Sequence, residues 1–330
     1  MSTQILVIGA TGYVGGTVVD RLLKHPNTAT FAIMALVRSS EKAQKLESLG
    51  LKTAVGSHTD VAPLHDLAVA ADVIFSIATV ENDTPMHTIL AGAKKRFQAT
   101  GFPPVIIHTS GASIISDNEV GMNASEIIYS DTDADVIEGA PLTTPHRTTN
   151  AALVAADKEG YVRAHIVCPG NVWGTASGAL VDVGAQNQNS KLIPLFLTIG
   201  ARRNSAGMLG LGKNIWVHVS IADLADLYMH LFDATRKNAG TPHGRDGYYF
   251  AEHGELSMYE FGRAIGGALV ASGKIPKPEP TAFSEQEIKA MPIVTLCGKN
   301  IRCRGDHSRA VGWMPAQDVQ AMLSSIKYGL

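Results

Sequence analysis

Some residues in this sequence have types and spacing that suit a specific chemistry, and the clearest are the glycines of Gly9-Ala10-Thr11-Gly12-Tyr13-Val14-Gly15. An apolar run, QILVIG, leads into this G-x-x-G-x-x-G turn and a helical pattern follows it, which is the context a dinucleotide-binding turn requires. Gly9 permits the tight turn, Gly12 lets backbone approach a diphosphate, and Gly15 allows the helix to pack closely on the sheet. The helix N-terminus adds free N–H groups and about half a unit of positive charge. Thr11, Tyr13 and Val14 fill the remaining places in that cradle. The next apolar run, FAIMALVR, ends without the acidic residue that would accept hydrogen bonds from an adenosine ribose. It offers Arg38, Ser39 and Ser40 instead, a guanidinium and two hydroxyls suited to a 2′-phosphate, where each hydrogen bond to the charged group contributes about 1.5–3 kcal/mol. The cofactor expected is therefore NADP(H). His58 in Ser57-His58-Thr59-Asp60, and Ala78-Thr79, follow the third and fourth apolar runs and fall on the same ligand-binding edge. Asp60 reads equally as an adenine contact or as the start of a helix.

Other candidates point to bland roles. The alternating acids of Tyr129-Ser130-Asp131-Thr132-Asp133-Ala134-Asp135 lack the glycine and terminal glutamate of a calcium loop. His108 and His218 lie within apolar runs and read as core histidines, and no histidine pair has zinc spacing, so no metal is expected. Cys168, Cys297 and Cys303 have neither metal-ligand spacing nor the pattern of a disulfide framework, and Cys168 reads as a small buried residue.

Elements that could position these groups alternate along the first 170 residues. Candidate strands QILVIG, FAIMALVR, LKTAVG, DVIFSIA, PVIIHTS and RAHIVCP are separated by helical patterns near 13–24, 40–49, 62–70, 85–100 and 146–159. Several are continuously apolar, as strands covered on both faces must be. The fold class expected is α/β, a Rossmann-type doubly wound parallel sheet with a smaller C-terminal lobe. Residues 1–170 would form the nucleotide-binding core and 171–330 mainly a substrate lobe, with 214–235 and 246–252 returning to the core. GNVWGTASGALVDVGAQNQNSK reads as a long loop, and KIPKPEPTAF as a proline-rich linker.

The 330 residues carry 28 Lys and Arg against 30 Asp and Glu, 45% hydrophobic residues and 18% charged ones. This balance suits a compact soluble enzyme and gives no electrostatic footprint for nucleic acid or an anionic membrane, so a small-molecule substrate is the partner expected. The opening MSTQILVIGATG has no basic leader and no apolar run of spanning length, so the cytoplasm is the expected location. Oligomeric state stays open, a homodimer included.

GATGYVGG, VIIHTSGAS, CPGNVWG, WVHVSIADLADLY and VGWMP recur in the order found in the extended short-chain dehydrogenase/reductase superfamily, which the chain resembles over nearly its whole length. The resemblance implies Pro169, Asn171 and Val172 against the nicotinamide, and a Ser or Thr after the fifth strand, matched by Thr109 and Ser110. It also implies a Tyr-x-x-x-Lys pair on the next helix, and this pair is missing from Ala140-Pro-Leu-Thr-Thr-Pro-His-Arg-Thr-Thr-Asn150. His146 and Arg147 stand at the vacant place. A histidine titrating near 6.5 could exchange the proton, with Arg147 holding ribose hydroxyls or a substrate carboxylate; the alternative is that both merely solvate the helix start. Pro145 fits the first turn of that helix. Tyr129 is a further candidate acid, weighed against a packed loop tyrosine. Three readings follow: an NADP(H)-dependent oxidoreductase of a small carbonyl or alcohol, a non-catalytic sensor similar to the NmrA-like regulators, or a cofactor-retaining epimerase or lyase.

Overall fold

A computed structural model describes residues 2–78 and 83–326. Its first half alternates β1 (Thr3–Ile8), α1 (Tyr13–Leu23), β2 (Phe31–Val37), α2 (Ser40–Glu47), β3 (Lys52–Val55), α3 (Val61–Ala70), β4 (Val73–Ser76), α4 (Thr84–Thr100) and β5 (Val105–Thr109). The helices are bounded by ordinary local chemistry. Ser39 caps α2 by accepting from the Lys42 amide, and Gly101, with φ 74°, closes α4 in the left-handed conformation that glycine tolerates best.

After the short strand β6 (Tyr129–Ser130) and helix α5 (Ala134–Glu138) come α6 (Arg147–Lys158) and β7 (Arg163–Pro169). The segment expected to be one long loop contains β8 (Asn171–Trp173) and one turn of helix, α7 (Ala179–Asp182). Next come α8 (Leu192–Arg203), the two-residue strand β9 (Gly207–Met208), β10 (Ile215–Ser220) and α9 (Ile221–Lys237), and then β11 (Tyr248–Ala251), β12 (Glu255–Ser257) and α10 (Met258–Ala271). Beyond these, β13 (Thr281–Ala282) pairs with β9, and β14 (Cys303–Arg304) with β6.

One parallel sheet, ordered β11-β7-β5-β4-β1-β2-β3, organises the molecule, which is the doubly wound Rossmann-type α/β architecture expected. The chain runs outward from β1 through β2 and β3, then returns to β4 on the other side of β1. That reversal opens a crevice at the carboxyl ends of β1 and β4, the switch point where such sheets take ligands. Side chains alternate across the sheet: Ile5 and Val7 pack toward α1 and α9, while Leu6 and Ile8 face α3, α4 and the later segments. Both faces are covered, so the strands read as unbroken apolar runs.

The second half returns to this frame in two places. Strand β11 is the sheet's outer strand beside β7, and α9 packs beneath it, capped by Ser220 accepting from the Asp223 amide. Buried Trp313 of VGWMP donates Nε1–H to the Asp223 carbonyl, while the Asp223 carboxylate accepts from Ala316 and Gln317. The three-stranded sheet β12-β10-β8 and α8, α10 form a smaller layer against the other face. The proline-rich segment is not a free linker. A Cβ on Gly266 would stand 2.0 Å from the Pro278 carbonyl oxygen, so the glycines of α10 form the bed on which these prolines lie. Buried Ile275 and Phe283 anchor its two ends.

Candidate active site

The site grows from the carboxyl edge of the large sheet, in two neighbouring hollows. The first, about 570 Å³, spans the ends of β4, β1, β2 and β3 and is lined by Gly9, Thr11, Gly12, Tyr13, Val14, Arg38, His58 and Ala78 among others. The glycines are there for steric reasons. Gly9 has φ 94°, and a Cβ on Gly15 would stand 2.1 Å from the Gly9 carbonyl oxygen. At Gly12 the Cβ would lie 3.1 Å from the same oxygen. Gly12, at the N-cap of α1, brings no capping side chain and no acid stands in the first turn, so the first amides face the hollow with the positive end of the helix.

Sequence reasoning missed four basic and amide residues in this hollow, Lys42, Asn187, Asn189 and Lys191. Lys42 lies one helical turn beyond the Ser39 cap, so its place beside Arg38 was readable from the register of α2. Lys191 and Asn187 come from the segment after β8, which folds back over the glycine turn. The Asn187 amide donates to the Thr11 carbonyl at 3.0 Å, and Tyr13 donates its hydroxyl to the Gly174 carbonyl at 2.6 Å. Arg38 is exposed and makes no ion pair among the described residues. Ser39 spends its hydroxyl on the α2 cap and does not line the hollow; Thr79 lies outside the described residues. Asp60 starts α3 and accepts from the Ser57 amide at 2.7 Å, ordering the turn that carries His58.

The second hollow, about 210 Å³, lies beside it at the ends of β5 and β7. Gly111, Ser113, Pro169, Asn171, Trp216 and Lys299 are among its lining. His146 reaches its edge: a Cβ on Gly111 would stand 3.1 Å from His146 Nε2 and 3.5 Å from Ser113 Oγ. The absent side chain at Gly111 thus lets an imidazole and a hydroxyl converge. His146 caps α6 with φ 67°, a left-handed conformation uncommon outside glycine, and Pro145 stands ahead of the helix, not within its first turn. The residue keeps exposed surface, but its ring packs inward and burial lowers its pKa. It is therefore neutral near pH 7.

Three other predicted groups are directed elsewhere. Arg147 is buried and turned away from both hollows. Its Nη2 donates to the Glu138 carbonyl at 2.7 Å and its Nε to the Ala140 carbonyl at 3.2 Å, while Tyr248 donates to the Glu138 carboxylate. This clamp fastens the segment before α6 to β11. Tyr129 is half-buried against the core in β6, as a packed tyrosine would be. Ser110 is buried and accepts from Asn150 Nδ2 at 2.9 Å, so Ser113, not Ser110, offers its hydroxyl to the cavity. Asn150 was also missed. It stands four residues after His146, the spacing that the resemblance assigns to Tyr and Lys, with its Oδ1 buried and unpartnered.

Supporting groups are tightly placed. Thr109 Oγ1 bonds to the Tyr228 hydroxyl, tying β5 to α9. Asn171 Nδ2 meets His218 Nδ1 at 3.1 Å, and Val172 is half-buried in β8, paired with Val219. Burial pushes His108 and His218 down to about 3, keeping both neutral, in line with core histidines. All three cysteines are buried free thiols, and burial raises Cys168 to about 12. No described helix is long and apolar enough to cross a membrane.

The first 97 residues match the NmrA-like family. That match covers less than a third of the chain, and the whole chain has a Rossmann-type fold. The chain is 28% identical to the oxidase ucsJ of an Acremonium species over a 340-residue alignment, covering 96% of this chain and 93% of that protein. Among solved structures, the PbgP3 protein from Burkholderia pseudomallei superposes with a TM-score of 0.69 at 13% identity, covering 100% of this chain and 96% of that one. The dTDP-glucose 4,6-dehydratase DesIV from Streptomyces venezuelae, solved with NAD bound, gives 0.64 at 18% identity, with 99% and 96% covered. These superpositions bear out the expected short-chain resemblance at the level of fold.

Proposed function

We propose that this protein is an NADP(H)-dependent oxidoreductase acting on a small carbonyl or alcohol, with His146 exchanging the proton. The observation that carries this reading is the order of the strands: a cradle shaped by glycine and basic residues lies at the ends of β4, β1, β2 and β3, and the cavity lined by Ser113 lies at the ends of the next strands, β5 and β7, with the His146 imidazole beside Gly111 of its lining. Gly9, Gly12 and the first-turn amides of α1 would hold the diphosphate, and Arg38 with Lys42 the 2′-phosphate. Pro169, Asn171 and Val172 would border the nicotinamide, which when bound supplies a two-electron carrier in the form of hydride. The geometry fits because a side chain on Gly15 would push into the turn, and no acid among the described lining residues of the hollow repels a phosphate.

The chain's own part is proton handling and orientation. Ser113 donates a hydrogen bond to the substrate oxygen. His146, neutral because its surroundings disfavour the charged form, takes a proton from an alcohol or, once protonated, returns one to a carbonyl. Asn150 positions the end of β5 through Ser110. The likeness to an oxidase over nearly the full chain supports redox chemistry. The missing Tyr-x-x-x-Lys pair and the NmrA-like match favour the competing reading, a sensor that binds the dinucleotide without turnover.

Calorimetric titration with NADPH and NADH tests the cofactor assignment. NADPH should bind more tightly, and Arg38→Asp should erase the preference. Equal dissociation constants in the unaltered protein remove it.

A further inference from the structure

We infer that the cavity at the ends of β5 and β7 selects a compact, largely apolar carbonyl compound bearing an acidic group, and that Lys299 is the residue that selects the acid. This deepens the oxidoreductase reading and rests on it for the reacting carbonyl, but size and charge preference follow from the cavity itself. Its volume is about 210 Å³, below the range of about 300–1,000 Å³ in which drug-sized ligands are enclosed. A sugar joined to a nucleoside diphosphate cannot be enclosed there, although the fold is shared with a dTDP-glucose dehydratase.

The walls are apolar apart from a few groups. Trp216, Val217, Leu296, Ile301, Ala112 and Pro169 supply flat and aliphatic surface suited to an aromatic or alicyclic ring. Ser113 and Asn171 add neutral polar atoms. Lys299 alone among the described lining residues carries a formal charge, and its Nζ donates only to the amide oxygen of Asn118, at 3.0 Å. Among the described residues no carboxylate neutralises it. Its hydrogen bond to Asn118 is exposed, so the ammonium stands on the solvent side of the apolar walls, where it favours an anion that brings its own charge to the pair.

The local structure fixes where the Lys299 backbone stands. The Lys299 carbonyl accepts from Trp216 Nε1 at 2.8 Å and from Asn214 Nδ2 at 2.7 Å, so its backbone is pinned to the cavity's indole wall. Those bonds involve the main chain and survive a change of side chain. Lys299 can therefore be altered without undoing the wall.

The test titrates the full chain, saturated with NADP+ so that no aldehyde is reduced, with 4-carboxybenzaldehyde, benzaldehyde and dTDP-glucose by calorimetry. The acid should bind most tightly and the sugar nucleotide should not bind in this cavity. Lys299→Met should weaken the acid by about fivefold, leave benzaldehyde unchanged, and Lys299→Arg should restore most of the loss. Binding of dTDP-glucose competitive with the acid, an equal loss for both aldehydes in Lys299→Met, or no binding of either aldehyde overturns the proposal. A separate assay follows NADPH consumption. Tight acid binding without consumption removes the oxidoreductase reading and leaves the cavity's selectivity standing, whereas consumption with no preference for the acid does the reverse.

Discussion

The helices α1 and α6 both begin at the carboxyl edge of the same sheet, yet their starts are built in opposite ways. At α1 no side chain caps the helix, and glycines clear the space in front of it. At α6 the start is filled by His146 in a left-handed conformation, with Arg147 folded back onto Glu138. On the proposed reading the first end is a backbone surface for a diphosphate, and the second is a side-chain device aimed at one point beside Gly111. The contrast separates binding from chemistry. A diphosphate is met by amides, which every residue carries, so the requirement falls on what must be absent, namely Cβ atoms. Proton exchange needs a particular ring at a particular place, and more than one side chain can supply it.

The sharpest way to break this contrast is His146→Ala. Turnover should fall by roughly 10²–10⁴-fold, the usual contribution of a positioned acid or base, while the NADPH dissociation constant stays the same. Rates unaffected by the change would return His146 to a solvating role. Acid offers a second probe of the same half. His108, His165 and His218 are each held down to about 3 by burial, and His146 is lowered as well. A group depressed when folded is protonated more readily in the unfolded chain, so stability is full above about pH 6.5 and declines as pH falls toward the folded value. Between pH 6.5 and 5 the loss is at most about 2 kcal/mol for each fully buried histidine. Hydrogen exchange at pH 5 should therefore show loosening of β5, β7 and β10; uniform protection at both pH values would contradict the buried neutral histidines.

On the binding side, Gly15→Ala puts a methyl group into the Gly9 carbonyl, and overpacking of about 1–3 kcal/mol should weaken NADPH by roughly 5- to 150-fold. Calorimetry beside a thermal melt separates lost affinity from lost fold. The smallest effect belongs to Lys42→Ala. As an exposed point charge it should weaken NADPH by about fivefold or less and leave NADH unchanged. A matching loss for both cofactors would move Lys42 away from the 2′-phosphate.

The unevenness of these tests mirrors what was readable beforehand. Strand RAHIVCP has the bounds expected of it, and the helices match within a few residues, because apolar period and local capping are short-range properties. Gly9, Gly12 and Arg38 were legible for the same reason, being set by their immediate neighbours. Ser113, Asn150, Lys191 and Lys299 were not. Ser113 was hidden behind Ser110, which fits the family pattern better but points inward to Asn150. Lys299 reaches the cavity from the far end of the chain through bonds to Trp216 and Asn214, which no local pattern records. Arg147 shows the reverse failure: a suitable charge at a suitable place in sequence, drawn off by a carboxylate nine residues earlier.

By itself the sequence determined the parallel sheet, the glycine turn and the basic residue after the second strand, because each depends on backbone sterics and on periodicity within about ten residues. Tertiary structure alone decided which hydroxyl faces the cavity, that the segment after β8 closes over the glycine turn, and that a distant lysine sits against an indole wall. The physical reason is one of range. Helices and strands are selected by neighbours along the chain, whereas a pocket is defined by side chains whose directions are fixed only after distant segments have packed.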